Sequence, residues 1–499
     1  MATEEAMADA PRATARKYAA GDTRLRGQMG TGGLLFTVLA YNAPVGVYVA
    51  LLPVTIGMGN GLGAPVAFVA AGALLLVFAV GFCAMGRHLP NPGAFYAYVT
   101  AGLGRPAGLA ASFLALVAYN LMLLGNFAFF GLAMQTLVHD VLGGPAISWW
   151  WAYTGVSMLL VGIIGYRNIE ISARVLTIGL VVELVLIGVY NLVVIGRQVS
   201  HGGLTFVSFT PAAVFAGSVG LGLLFAITCF GGFEATAIFR DEVISPERTV
   251  PRATYLAVAL ITVLYAGGTW TLIQALGADD AVALATADPT GSFLDSARAY
   301  LSRLGADAFV VMVLTSNFAG TLANHNIASR YLFNLSSDGV MLKSFGTVHD
   351  NHGSPHRASL ATSALMVIAG AVVVATIGVG PALYAQLIGM GGYIVIILLL
   401  ATALAVLFYL NRARAPGTTV WHRVVAPTIA AAGLGVALYL ATDNLALLIA
   451  GSQVVANIYV SALIAITCCA ACAAIVLRRV KPNVYRRIGR RDVSSDTPA

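Results

Sequence analysis

Long apolar stretches separated by short polar connections run through the whole chain. Leu34 to Ile56, Ala64 to Met85, Ile171 to Ile195 and Leu360 to Ile377 each exceed or approach the roughly 20 residues that carry a helix across a bilayer. Their apolarity is continuous, whereas barrel strands would alternate with period two, so the pattern predicts membrane helices. Twelve spans are expected, near 31–57, 63–86, 105–138, 148–166, 171–196, 212–239, 251–276, 305–334, 358–378, 381–410, 424–441 and 448–477. The fold class is therefore an all-α membrane protein. A polar tail over 1–28 is expected to be disordered, followed by a ten-helix core over 29–410, two further helices over 411–477, and a basic tail over 478–499.

Composition strengthens this reading. Hydrophobic residues make up 59% of the chain and charged residues 10%, against about 25% charged in soluble domains. The charges also alternate with the spans. All but three of the 28 Lys and Arg residues, the exceptions being Arg197, Arg298 and Arg303, fall on the side that holds both termini. Basic loops stay cytoplasmic, so both termini are expected inside the cell, in its plasma membrane. The net charge of +7 is then a signal of orientation and lipid contact, with no nucleic-acid role implied. The 28-residue tail lacks a convincing cleavage site, which argues against a removable signal peptide. All five cysteines fall within spans, so no disulfide framework is expected.

Two spans are interrupted. Asn42-Ala43-Pro44-Val45-Gly46 sits midway along the first, where Pro44 removes an amide donor and Gly46 tolerates unusual dihedrals. Phe230-Gly231-Gly232-Phe233-Glu234 breaks the sixth. Proline and glycine also serve as plain kinks and packing sites in membrane helices. Breaks in the first and sixth spans are, however, what a five-plus-five inverted repeat would give, with freed backbone groups forming a binding site near the midplane.

Charged side chains inside a membrane are costly and usually face a polar cavity. Glu183 in the fifth span and Glu234 in the sixth are the candidates for coupling, by reversible protonation. The competing role is a structural hydrogen bond, for Glu234 to the unwound backbone of the first span. In the eighth span Thr315 and Ser316 could offer oxygens to a sodium ion, or could simply bond their own helix, while Asn317, Asn324, His325 and Asn326 add polarity. Tyr119 and Asn120 could line the same cavity from the third span.

Other signals carry less. His349, His352 and His356 would need a helix to converge on one metal ion, and Gly353 and Pro355 break it, so no metal is expected. The glycine-rich stretch from Gly57 to Gly63 lacks the spacing of a nucleotide-binding loop. Hydrolase motifs are missing from the spans, so neither an enzyme nor a cofactor is expected.

The segment Gly231-Gly232-Phe233-Glu234-Ala235, followed by Glu242-Val243 and by Pro246-Glu247-Arg248-Thr249-Val250-Pro251-Arg252-Ala253, resembles the sixth-helix signature of the amino acid–polyamine–organocation permeases. Ser245 and Val250 replace the usual Asn and Ile. Pro90 to Tyr98, Ala328 to Phe333 and Asp338-Gly339 resemble that family too, and the similarity runs through most of the first ten helices. The resemblance implies a five-plus-five inverted-repeat fold with two added helices, and an amino acid held by the unwound first and sixth helices. Its carboxylate would meet amides over Ala43, Pro44, Val45, Gly46 and Val47, although Pro44-Val45-Gly46-Val47 departs from the family's usual break. Its ammonium would meet carbonyls around Thr228 to Gly231, beside Gly232, with Asn120 and Asn317 nearby and Phe230 as an aromatic gate. Relatives that move protons often carry a Lys near the position of Glu183, which here is acidic.

The expectation is a permease that takes up an amino acid together with a proton by alternating access. Its rivals are an amine or polyamine carrier, an exchanger, sodium in place of the proton, and a sensor that binds without transporting.

Overall fold

The computed structural model describes residues 29–89, 94–145, 149–167, 173–234, 236, 243–349, 354–376, 382–414, 416–449 and 452–489. The expected tail over 1–28, Pro90 to Gly93, Ala235, Arg240, Glu242, the stretch from Asp350 to Gly353, and Arg490 and Arg491 lie outside the described residues.

Twelve helical spans follow in chain order: α1 (Thr31–Gly57), α2 (Ala64–His88), α3 (Arg105–Thr136), α4 (Trp151–Arg167), α5 (Ala173–His201), α6 (Val219–Thr228), α7 (Pro246–Leu276), α8 (Pro289–Ser337), α9 (His356–Thr376), α10 (Ala382–Ala413), α11 (Ala426–Asp443) and α12 (Gln453–Val480). Among the described residues, ten helices are long and apolar enough to cross a membrane. The other two spans are α4, with 17 residues, and α6, which stops after ten because its chain breaks. The stretch Pro289–Ser337 holds two helices that part at Ser302, where φ is 72 and ψ 176, and the second of them is the span expected near 305–334. Leu159, Val185, Ile368, Val436 and Ile464 turn outward, as lipid-facing side chains do.

Helix packing carries the repeat that residue identity does not. α2 packs on α7, α3 on α8 and α4 on α9. α1 lies against α5 and α7, while α6 lies against α10 and α2; α3 lies on α10 as α8 lies on α5. Exchanging α1–α5 in order with α6–α10 maps these pairs onto one another. Each unit has an odd number of spans, so the second starts from the opposite membrane face and is inverted. α11 covers α2, α6 and α10, and α12 packs on α3.

A short helix, Ala94–Leu103, wedges between α3 and α10. Gly102 lets it approach, because a Cβ there would fall on the backbone of Ala405. Gly102→Val is expected to cost about 1–3 kcal/mol by overpacking, read as a lower unfolding midpoint in detergent. An unchanged midpoint would show that the contact yields freely.

Candidate functional site

Both helix breaks follow from local chemistry. A proline disfavours the right-handed helical conformation of the residue before it. Ala43 accordingly leaves the helix, at φ 50 and ψ 66, and Pro44 restarts the chain as the first residue of the next turn. A wide turn over Val47–Leu51 follows. In α6 the helix ends at Thr228, and the chain turns through Cys229 to Gly232. Gly232 has φ +99, and a side chain there would strike the ring of Tyr41. Only glycine fits both demands.

Asn42 joins the two breaks. Its side-chain nitrogen donates to the carbonyls of Cys229 and of Gly231, the latter at 3.2 Å, and its oxygen accepts from the Tyr265 hydroxyl of α7. Beside this junction lies a cavity of about 70 Å³, several times the ~10–15 Å³ that one water takes. α1 supplies Tyr41, Asn42, Ala43, Gly46, Val47 and Leu51; the α6 break supplies Thr228, Cys229 and Gly231. The remaining walls come at helical spacing, as one face of each helix should: Met122, Asn126 and Phe129 from α3, Asn317, Gly320 and Asn324 from α8, and Tyr384 and Ile388 from α10. The rings of Phe129 and Tyr384 stack with centroids 4.6 Å apart.

Each intramembrane carboxylate holds a backbone amide of one break. Glu183 Oε2 accepts from Val45 N at 3.5 Å and from Ser316 Oγ at 2.9 Å, joining α5, α1 and α8. Glu234 Oε2 accepts from Gly232 N at 3.0 Å, and Oε1 accepts from the Tyr119 hydroxyl at 3.0 Å, joining the α6 break to α3. The unwound backbone bonded by Glu234 is thus its own, rather than that of the first span. Both acids are buried.

The residues singled out from sequence divide. Ala43, Gly46, Val47, Thr228, Gly231 and Asn317 line the cavity, while Pro44, Val45, Asn120, Phe230 and Gly232 do not. The amides of Ala43, Val45 and Val47 already have partners, in Ala40 O, Glu183 and Ala43 O. Phe230 is fully buried in the core. Asn120 bonds Leu116 O of its own helix at 2.6 Å. It precedes Met122 by two positions, about 200° round the helix from the lining face. Thr315 stands in the same relation to Asn317; it is exposed and bonded to Met312 O at 3.0 Å, so it does not converge with Ser316. Sequence reasoning missed Asn42, Asn126, Phe129 and Tyr384 as lining residues. For Asn42 a signal was present, a side-chain amide one residue before the break.

Residues 33–442 match the amino acid permease family. The chain is similar to an uncharacterized transporter of Mycobacterium tuberculosis, 27% identical over 51% of this chain and 58% of that protein. It therefore spans less than two thirds of that relative's length. It is also similar to the low-affinity putrescine importer of Escherichia coli, 24% identical over 66% of this chain and 72% of the importer. The branched-chain amino acid permease of Bacillus subtilis is 22% identical over 71% of this chain and 76% of that permease.

Proposed function

The chain belongs to the amino acid permease family, and from that premise we propose that it imports an amino acid together with a proton by alternating access. Members of the family are multi-pass membrane transporters and not enzymes. The observation that carries the proposal is the cavity between two helix breaks, with a buried carboxylate bonded to a backbone amide of each. The amino acid lies between the breaks, its carboxylate toward the restart of α1 and its ammonium toward the carbonyls that end α6. Glu183 already holds Val45 N, so a substrate carboxylate arriving there meets a like charge. A proton on Glu183 removes that repulsion, and a proton on Glu234 changes the tie between α6 and α3. Substrate and proton then favour the same state. The protein sits in the plasma membrane with both termini cytoplasmic, in keeping with the distribution of basic residues.

Similarity to a putrescine importer supports a second reading, an amine carrier on the same scaffold. Proteoliposomes loaded at one pH and diluted into a medium one unit more acidic separate these readings. Amino acid accumulation that a protonophore abolishes is the expected result. Accumulation that requires sodium, or counterflow without any net uptake, would replace the proton with sodium or with exchange.

A further inference from the structure

The repeat gives the two membrane faces matching wedges. The helix Ala94–Leu103 precedes α3 and parts from it at Gly104, where φ is 95 and ψ 168. Residues 289–301 precede the span of α8 in the same way and part from it at Ser302, where φ is 72 and ψ 176. The first wedge packs on α10. The second lies on α5, the repeat mate of α10: Ser296 Oγ is 2.6 Å from the Tyr190 hydroxyl, and Ala299 O accepts from Arg197 at 3.0 Å. Exchange of the two five-helix units therefore carries one wedge onto the other, on opposite faces of the membrane.

The chain after α12 breaks that symmetry. It turns back through a short helix, Pro482–Arg487, and seats on the first wedge. Ile488 is fully buried there. Gly489 N donates to the Tyr96 hydroxyl at 2.8 Å and to Asp338 Oδ2 at 3.3 Å, and Tyr96 itself donates to Asp338 Oδ2 at 2.5 Å. Gly489 has φ +68, and a Cβ there would fall 2.6 Å from Thr100 Oγ1, so the seat is cut for glycine. Arg105, the first residue of α3, lies over the Tyr485 ring at 5.1 Å and donates to Arg486 O at 3.4 Å. The segment thus fastens the wedge to the start of α3 and, through Asp338, to the end of α8. It comes from outside the repeat, so the exchange supplies no mate for it on the other wedge.

We propose that residues 482–489 form a latch on the face that holds both termini, cytoplasmic in the alternating-access reading on which this inference rests, and that the seated latch favours the state open to the outside. A two-fold scaffold alone offers like contacts at both faces. A contact made at one face only weights the two states unequally. Opening toward the cytoplasm moves the inner wedge against α3 and α8, and the latch opposes that movement.

Cys229 reports the balance, because it lines the cavity. Cys83→Ala, Cys468→Ala, Cys469→Ala and Cys472→Ala together leave it the one thiol in the chain. Its reaction with a small, membrane-impermeant methanethiosulfonate, timed in right-side-out and inside-out vesicles, measures access from each face. A chain ending at Lys481, and Ile488→Glu in the full chain, are expected to raise the ratio of cytoplasmic to outer rate about tenfold, the outer rate falling as the cytoplasmic one rises. Tyr96→Phe removes one hydroxyl and keeps the ring, and should shift the ratio the same way by about threefold. It alone decides if the other two fail to fold. A segment that only holds the fold together gives a different result, since its loss raises both rates alike. That outcome, or an unchanged ratio in folded variants, would overturn the latch and leave the transport reading standing. A Cys229 that reacts from one face only, or from neither, in every variant would count against alternating access itself, and the latch with it.

Discussion

Gly231→Leu is expected to abolish substrate binding while the protein still folds and inserts. A Cβ built at Gly231 would lie 3.2 Å from Thr228 O and 4.0 Å from the Met122 methyl, so the first carbon needs only a small adjustment. Thr228, Met122 and Gly231 all line the cavity, so the rest of a leucine side chain extends into it. That space is about 70 Å³, and a branched four-carbon group cannot share it with an amino acid. The expected loss of affinity is on the order of 100-fold, about 2.7 kcal/mol. Labelled-substrate binding in detergent, alongside an unfolding curve, measures both halves of the claim. Gly232→Ala is the contrasting variant. Its backbone has φ +99 and its Cβ would strike Tyr41, so it should damage folding as well as binding. Wild-type affinity in a well-folded Gly231→Leu would move the binding site elsewhere.

The fold could be read largely from where apolarity stops and starts. Spans are long, and lipid permits almost no polar backbone unless it is internally bonded, so twelve helices and their rough limits followed from composition alone. The two breaks were visible as well, because Pro44 and the Gly231-Gly232 pair act locally. The wall of the cavity was only half legible. Which face of α3, α8 or α10 turns inward depends on how ten helices pack, and side chains two positions apart, such as Asn120 and Met122, face opposite ways. In an amphipathic soluble helix the polar residues would mark the outside; here both outward and inward faces are mostly apolar, so that marker is lost. The partner of Glu234 was misjudged for a related reason. From sequence, a carboxylate beside a break can serve either helix, and the turn at Gly232 brings its own amide nearest.

The second large effect concerns which carboxylate carries the proton. Glu234→Gln keeps the size and shape of the side chain. Tyr119 can turn its hydroxyl to accept from the new amide, so the link to α3 survives. Glu183→Gln is similarly gentle, since both of its donors converge on Oε2 and the amide oxygen can take that place. Each substitution therefore removes a titratable proton with little change in packing. One pH unit across the membrane corresponds to 1.36 kcal/mol per proton, a tenfold accumulation at equilibrium for a one-to-one symporter. With the outside more acidic by one unit, the wild type should reach about tenfold accumulation. Glu234→Gln should fall to about onefold while retaining counterflow, because a carrier that cannot take up its proton still exchanges substrate down a gradient. A Glu234→Gln variant that still concentrates substrate about tenfold excludes that residue from coupling. The same assay on Glu183→Gln then decides whether the other acid, which meets the substrate carboxylate at α1, carries the proton alone.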